Sequence, residues 1–125
     1  MISGHVSNLQ AVVSVVIQLP IQPHLALDFV VDTGFTGYLM LPLPAVSVLN
    51  LPFLEDVRAN LADDQEVLLP VFGATIEWYG KVRNVRVLAG GRRPLLGTAL
   101  LAGHKMAVDF VNGGSVTIGP ITPLS

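Results

Sequence analysis

Cysteine is absent from the 125 residues, which removes disulfide scaffolds, thiolate nucleophiles and cysteine-based zinc or iron–sulfur sites together. Charge is scarce too: Lys+Arg 7 and Asp+Glu 9 make up 13% of the chain, about half the share usual in soluble domains. Seven cations and a net charge of −2 do not supply the clustered basic surface that neutralises phosphates, so no nucleic-acid partner is expected. Long apolar runs are missing as well. The most apolar stretch, 9–21, is broken by Gln10, Ser14, Gln18 and Pro20, whereas a spanning helix needs ~20 continuous apolar residues. Residues 1–8 carry no basic cluster ahead of an apolar core, so no secretory leader and no membrane partner are expected, and a cytoplasmic location is. The histidines His5, His24 and His104 show no ligand spacing, and neither a metal nor another cofactor is expected.

Apolar side chains, in contrast, are abundant, at 51% of the residues. At 13.3 kDa a folded monomer should expose roughly 6,500 Å² and the unfolded chain about 19,000 Å², so about two-thirds is buried on folding. A single domain over residues 1–125 follows from that length. Disorder, which needs low hydrophobicity and high charge, does not. The apolar surplus points to surface that a partner covers.

Short apolar, β-branched runs closed by Gly, Pro, Asn or Asp predict an all-β domain. Strands are expected near 4–7, 11–19, 24–31, 37–41, 56–61, 65–79, 81–88, 105–111 and 115–118. Two short helices are expected, one from Pro44 to Asn50, opened by its proline, and one from Thr98 to His104, with Thr98 as its cap. Trp78 and Tyr79 read as packing residues, Arg92 and Arg93 as a solvated loop, and Asp109 as a solvated side chain. A faint internal echo is present: Val30-Val31 runs into Asp32-Thr33-Gly34, and Leu95-Leu96 runs into Gly97. Each apolar pair meets a glycine that can turn the chain sharply.

Chemistry concentrates at Asp32-Thr33-Gly34. The preceding segment 25–31 delivers an acid into a turn directly after three apolar residues, where a carboxylate loses solvation and must be paired, hydrogen-bonded or protonated. Gly34 can bring backbone N–H groups to that carboxylate, and the Thr33 hydroxyl can brace the turn. The plainer reading is an Asx turn with no chemistry, which Asp makes routinely. Asp28 and Asp32 share a strand face, but four extended residues separate their Cα atoms by about 13 Å, too far for a close acid pair.

Taken together, Phe29-Val30-Val31-Asp32-Thr33-Gly34 and Leu95-Leu96-Gly97-Thr98-Ala99-Leu100-Leu101 resemble the two signature segments of retropepsin-like single-domain aspartic proteases. Their spacing is close to that of the retroviral enzymes, and the resemblance runs from about Gly4 to Ile118. Phe35-Thr36-Gly37 after the Asp-Thr-Gly resembles the bacterial and archaeal branch. The resemblance implies a closed β-barrel of the acid-protease fold with one or two short helices, and a homodimeric endopeptidase in which each chain contributes Asp32. It further implies that Thr33 and Gly34 support the catalytic pair and that a hairpin flap covers a peptide or protein substrate. The flap tip falls at Ala62, Asp63, Asp64 and Gln65, acidic where the family usually has glycine. The retroviral Arg–Asp pair is replaced by Thr98 and Thr36; both partners change together, so no buried charge is orphaned. The alternative function is a dimeric β-barrel module that binds extended peptides without cleaving them. Residues 115–118 are expected to pair between chains.

Overall fold

The structure, a computed structural model, describes residues 1–20, 23–60 and 63–122. Alternation of apolar and polar side chains shapes the first strands. In β2 (Gln10–Gln18), Ala11, Val13, Val15 and Ile17 point into the core while Ser14 stays outside. The strand pairs antiparallel with β1 (Ile2–Ser7) on one side and β3 (Leu25–Val31) on the other. Asn8 and Leu9 make the β1–β2 turn with φ of 52° and 61°, the twist that suits a two-residue hairpin.

β4 (Leu39–Leu41) leads into α1 (Leu43–Leu49), which has proline in its first turn and ends at Asn50 in the left-handed conformation. Val46 and Leu49 are the helix residues that reach the core. β5 (Phe53–Asn60) and β6 (Glu66–Trp78) form a long hairpin, and β6 turns back into β7 (Lys81–Ala89). Pro70 lies in the part of β6 that pairs with β5, before the pairing with β7 begins at Val71, so its missing N–H breaks no ladder on that side. The chain then runs through β8 (Leu95–Leu96), α2 (Thr98–Leu101), β9 (His104–Val108) and β10 (Ser115–Pro120).

The ten strands of the described residues belong to one sheet in the order β5-β6-β7-β4-β8-β3-β2-β1-β10-β9, and β6 also pairs with β2. Hydrogen bonding therefore runs round a ring of β6, β7, β4, β8, β3 and β2, while β5 and the trio β1, β10 and β9 extend beyond it. The all-β architecture with two short helices agrees with the sequence reading; the closed barrel expected there takes the form of this ring with its extensions. Phe29, Leu39, Leu41, Ile76, Val87, Leu96 and Leu100 are fully buried at its centre, joined by Val116 and Ile118 from β10. Among the described residues no helix is long and apolar enough to cross a membrane.

Three expectations are corrected. The second helix closes after one turn, and Gly97, extended at φ −100°, occupies the cap position that Thr98 was to fill. β9 stops at Val108, because the tight bonds Val111 N–H to Asp109 O and Gly114 N–H to Val111 O bend the chain away. Residues 115–118 do not offer an edge to a second chain: β1 takes one side of β10 and β9 the other.

Candidate active site

The two halves of the sequence echo lie side by side. Val30 pairs with Leu95 and Val31 with Leu96 in a short parallel ladder, and β8 pairs antiparallel with β4 on its far side. β8 thus sits between β3 and β4, and the loop carrying Asp32, Thr33 and Gly34 must pass over its end. Asp32 N–H donates to Leu96 O at 2.9 Å, and Phe35 N–H donates back to Asp32 O at 3.1 Å.

From the other side, Gly97 N–H donates to Tyr38 O, Thr98 N–H to Phe35 O at 2.8 Å and Ala99 N–H to Gly37 O. Backbone bonds therefore fasten α2 to the turn without an arginine. The Thr98 hydroxyl adds a longer bond to Phe35 O. Gly97 is required here, since a Cβ would stand 2.2 Å from Gly37 O and 2.6 Å from the Phe35 ring.

Asp32 is half-buried. Its Oδ1 accepts the Gly34 N–H at 2.9 Å, while Oδ2 takes no hydrogen bond among the described residues. The turn thus has the Asx form, and one carboxylate oxygen is left over for another partner. Thr33 is exposed beside it. The carboxylate borders a cleft of about 410 Å³ whose walls include Leu9, Val31, Leu95, Met106 and Phe110. Among the described residues Asp32 is the one titratable group on that lining.

Flanking the turn is a second, smaller cleft of about 260 Å³, where Phe35, Tyr38 and Leu39 face Val57 and Val71 of the β5–β6 hairpin. The hairpin expected as a flap therefore packs across the turn through its stem. Its tip is a separate matter. Asp63 Oδ1 accepts the Gln65 N–H at 3.2 Å and Asp64 has φ of 64°, and neither cleft is lined by Asp63, Asp64 or Gln65. Ala62 lies outside the described residues.

Asp32, Thr33 and Gly34 share the turn, and Asp63, Asp64 and Gln65 do not line its cleft. Sequence reasoning did not single out Leu9, Gln10, Met106 or Phe110 as lining residues. Leu9 is 72% exposed and Phe110 61%, and only long-range pairing sets them beside Asp32. A signal for Leu9 existed: it follows Asn8 where a two-residue hairpin favours glycine. Arg93, read as solvated, donates to Gln10 Oε1 at 2.9 Å. Trp78 is buried in the core, as expected of a packing residue. Among the described residues no three His, Asp or Glu side chains are grouped to hold a metal.

No protein-family model matches the chain, and no curated protein does. Among solved structures it is similar to a retropepsin-like aspartic protease from Rickettsia conorii, with a TM-score of 0.67 at 18% sequence identity, over 93% of this chain and 88% of that one. The likeness is one of architecture: this chain has the retropepsin-like fold.

Proposed function

We propose that the protein is an aspartic endopeptidase, active as a homodimer to which each chain contributes Asp32. One observation carries this reading: a half-buried carboxylate on a hydrogen-bonded turn at a cleft, with one oxygen held by Gly34 and the other without a hydrogen bond among the described residues. Peptide hydrolysis without a metal needs a base and an acid together, and the cleft of one chain offers a single carboxylate. A second copy supplies the other by two-fold symmetry.

Two carboxylates side by side cannot both ionise and share one proton, as in aspartic proteases generally, so their titration belongs to the pair. The ionised member takes a proton from a bound water whose oxygen bonds to the peptide carbonyl carbon. The shared proton passes to the carbonyl oxygen. Collapse of the tetrahedral species then breaks the C–N bond and returns a proton to the leaving amine. Thr33 and Gly34 brace the pair, the hairpin with its tip at 62–65 covers the substrate, and no cofactor takes part.

Asp32→Asn removes the base and the shared proton. A peptide library incubated with the wild type is cleaved, with activity greatest below neutral pH, and the variant leaves it intact. Equal cleavage by both, or flat activity from about pH 4 to about pH 9, counts against the pair. The acidic tip, pinned by the Asp63–Gln65 bond, favours a second reading, a dimeric module that holds extended peptides without turnover. Under that reading both proteins bind the library equally and neither cleaves it.

A further inference from the structure

A third cleft, of about 420 Å³, shares no lining residue with the one that holds Asp32. It lies on the outward face of β6 and β7, where Thr75, Asn84 and Arg86 alternate with buried Ala74 and Val85. Cross-strand register builds its floor. Thr75 stands between Gln18 of β2 and Asn84 of β7, directly opposite each, and Gly73 stands opposite Arg86. Residues two apart on a strand share a face, so Asn84 and Arg86 look out over the same floor. Leu49 and Leu51, at the end of α1, and Leu54 of β5 supply apolar walls.

The backbone does not demand glycine at 73. Gly73 has no positive φ, and the nearest atom to a Cβ there would be a Leu54 methyl at 3.6 Å, an ordinary contact. Glycine weakens a strand interior and often marks a place where a ligand comes close to the backbone. The polar groups around it are already oriented. Thr75 Oγ1–H donates to Asn84 Oδ1 at 2.8 Å, which turns the Asn84 Nδ2 donors away from Thr75 and leaves them without an acceptor among the described residues. Arg86 is the one charged residue on the lining among the described residues. Its Nη2 is 3.1 Å from Glu55 Oε2, and a guanidinium has further N–H groups for a second carboxylate. On the other side of Thr75, Gln18 Nε2–H donates to Glu77 Oε1 at 3.3 Å, and Gln18 keeps its Oε1 as an acceptor.

We infer that this cleft binds the C-terminal end of a peptide whose last residue is apolar. Arg86 and Asn84 Nδ2 take the terminal carboxylate through charge-assisted hydrogen bonds. Gln18 Oε1 accepts the N–H of that last residue, whose side chain lies against Leu49, Leu51 and Leu54 over the bare backbone of Gly73. Charge and shape select this occupant: a cationic and an amide donor beside an acceptor match a carboxylate next to an N–H. The volume falls within the roughly 300–1,000 Å³ of small-ligand sites. The inference is independent of the reaction at Asp32, since neither cleft includes a residue of the other.

Isothermal titration of the full chain tests it, in the wild type and in Asp32→Asn so that turnover plays no part. The probe is an N-acetylated tripeptide ending in leucine, as the free acid and as the C-terminal amide, with decanoate as a carboxylate that lacks the N–H. The free acid binds about tenfold more tightly than the amide or decanoate. Asn84→Asp keeps the bond from Thr75 but sets a carboxylate against that of the peptide, and weakens binding about tenfold. Gly73→Ala also weakens binding, while the urea midpoint stays the same or rises, a combination that a purely structural glycine does not give. Equal binding of acid and amide overturns the inference, as does an Asn84→Asp chain that binds as the wild type does. Decanoate held as tightly as the peptide overturns the assignment to a peptide end. So does the absence of saturable binding at millimolar peptide, whether or not the chain cleaves other peptides.

Discussion

Gly97 shows how much one position holds in place. Its N–H fixes Tyr38, its lack of a side chain lets the Gly37 carbonyl approach, and the next two N–H groups hold Phe35 and Gly37. A methyl group there collides with backbone, which cannot rotate away as a side chain can. Gly97→Ala should therefore cost about 3 kcal/mol, measured by urea denaturation, with loss of any peptidase activity because the Asp32 turn shifts. Gly97 and Asp32 were both apparent from sequence, since a strained turn or a carboxylate after an apolar run is a local signal. Met106 and Phe110 carry none: an apolar residue near a strand end reads the same whether it faces Asp32 or empty solvent.

Among the elements, the strands were the most readable, because inward and outward side chains alternate along each of them and turn residues close them. Their neighbours were not. β10 was expected at an edge and is interior, and among the described residues the free edges belong to β5 and β9. The β6–β7 turn is tied back to β10 through Tyr79, whose hydroxyl donates to Ile118 O and whose ring stacks on His104. Burial disfavours the charged phenolate and raises the pKa of Tyr79 above its ordinary value of 10.0. The folded protein thus holds this proton more tightly than the unfolded one does. Its contribution is complete below pH about 10 and is lost as pH rises through the elevated value. Tyr79→Phe should lower stability by about 1 kcal/mol at neutral pH through the lost hydrogen bond. Denaturation curves of the two proteins should then converge on raising the pH through the alkaline range, where only the wild type has a phenol to ionise.

For the molecule as a whole, low charge goes with a set of exposed apolar side chains, Leu9, Phe110 and Val111 among them. If the site is completed by a second copy, cleavage per chain is not constant. Below the dissociation constant the rate should rise with the square of protein concentration, and above it linearly, which progress curves over a dilution series will resolve. Strict proportionality at every dilution excludes a dimeric site. Composition and pattern were enough to identify an all-β chain, its Asp-Thr-Gly turn and its apolar surplus, because alternation, turn chemistry and hydrophobic content are properties of neighbouring residues. Which strand stays unpaired, which side chains gather round Asp32 and where the surplus is exposed depend on contacts between residues far apart in sequence. Those contacts form only when the strands choose partners, and no local pattern records that choice.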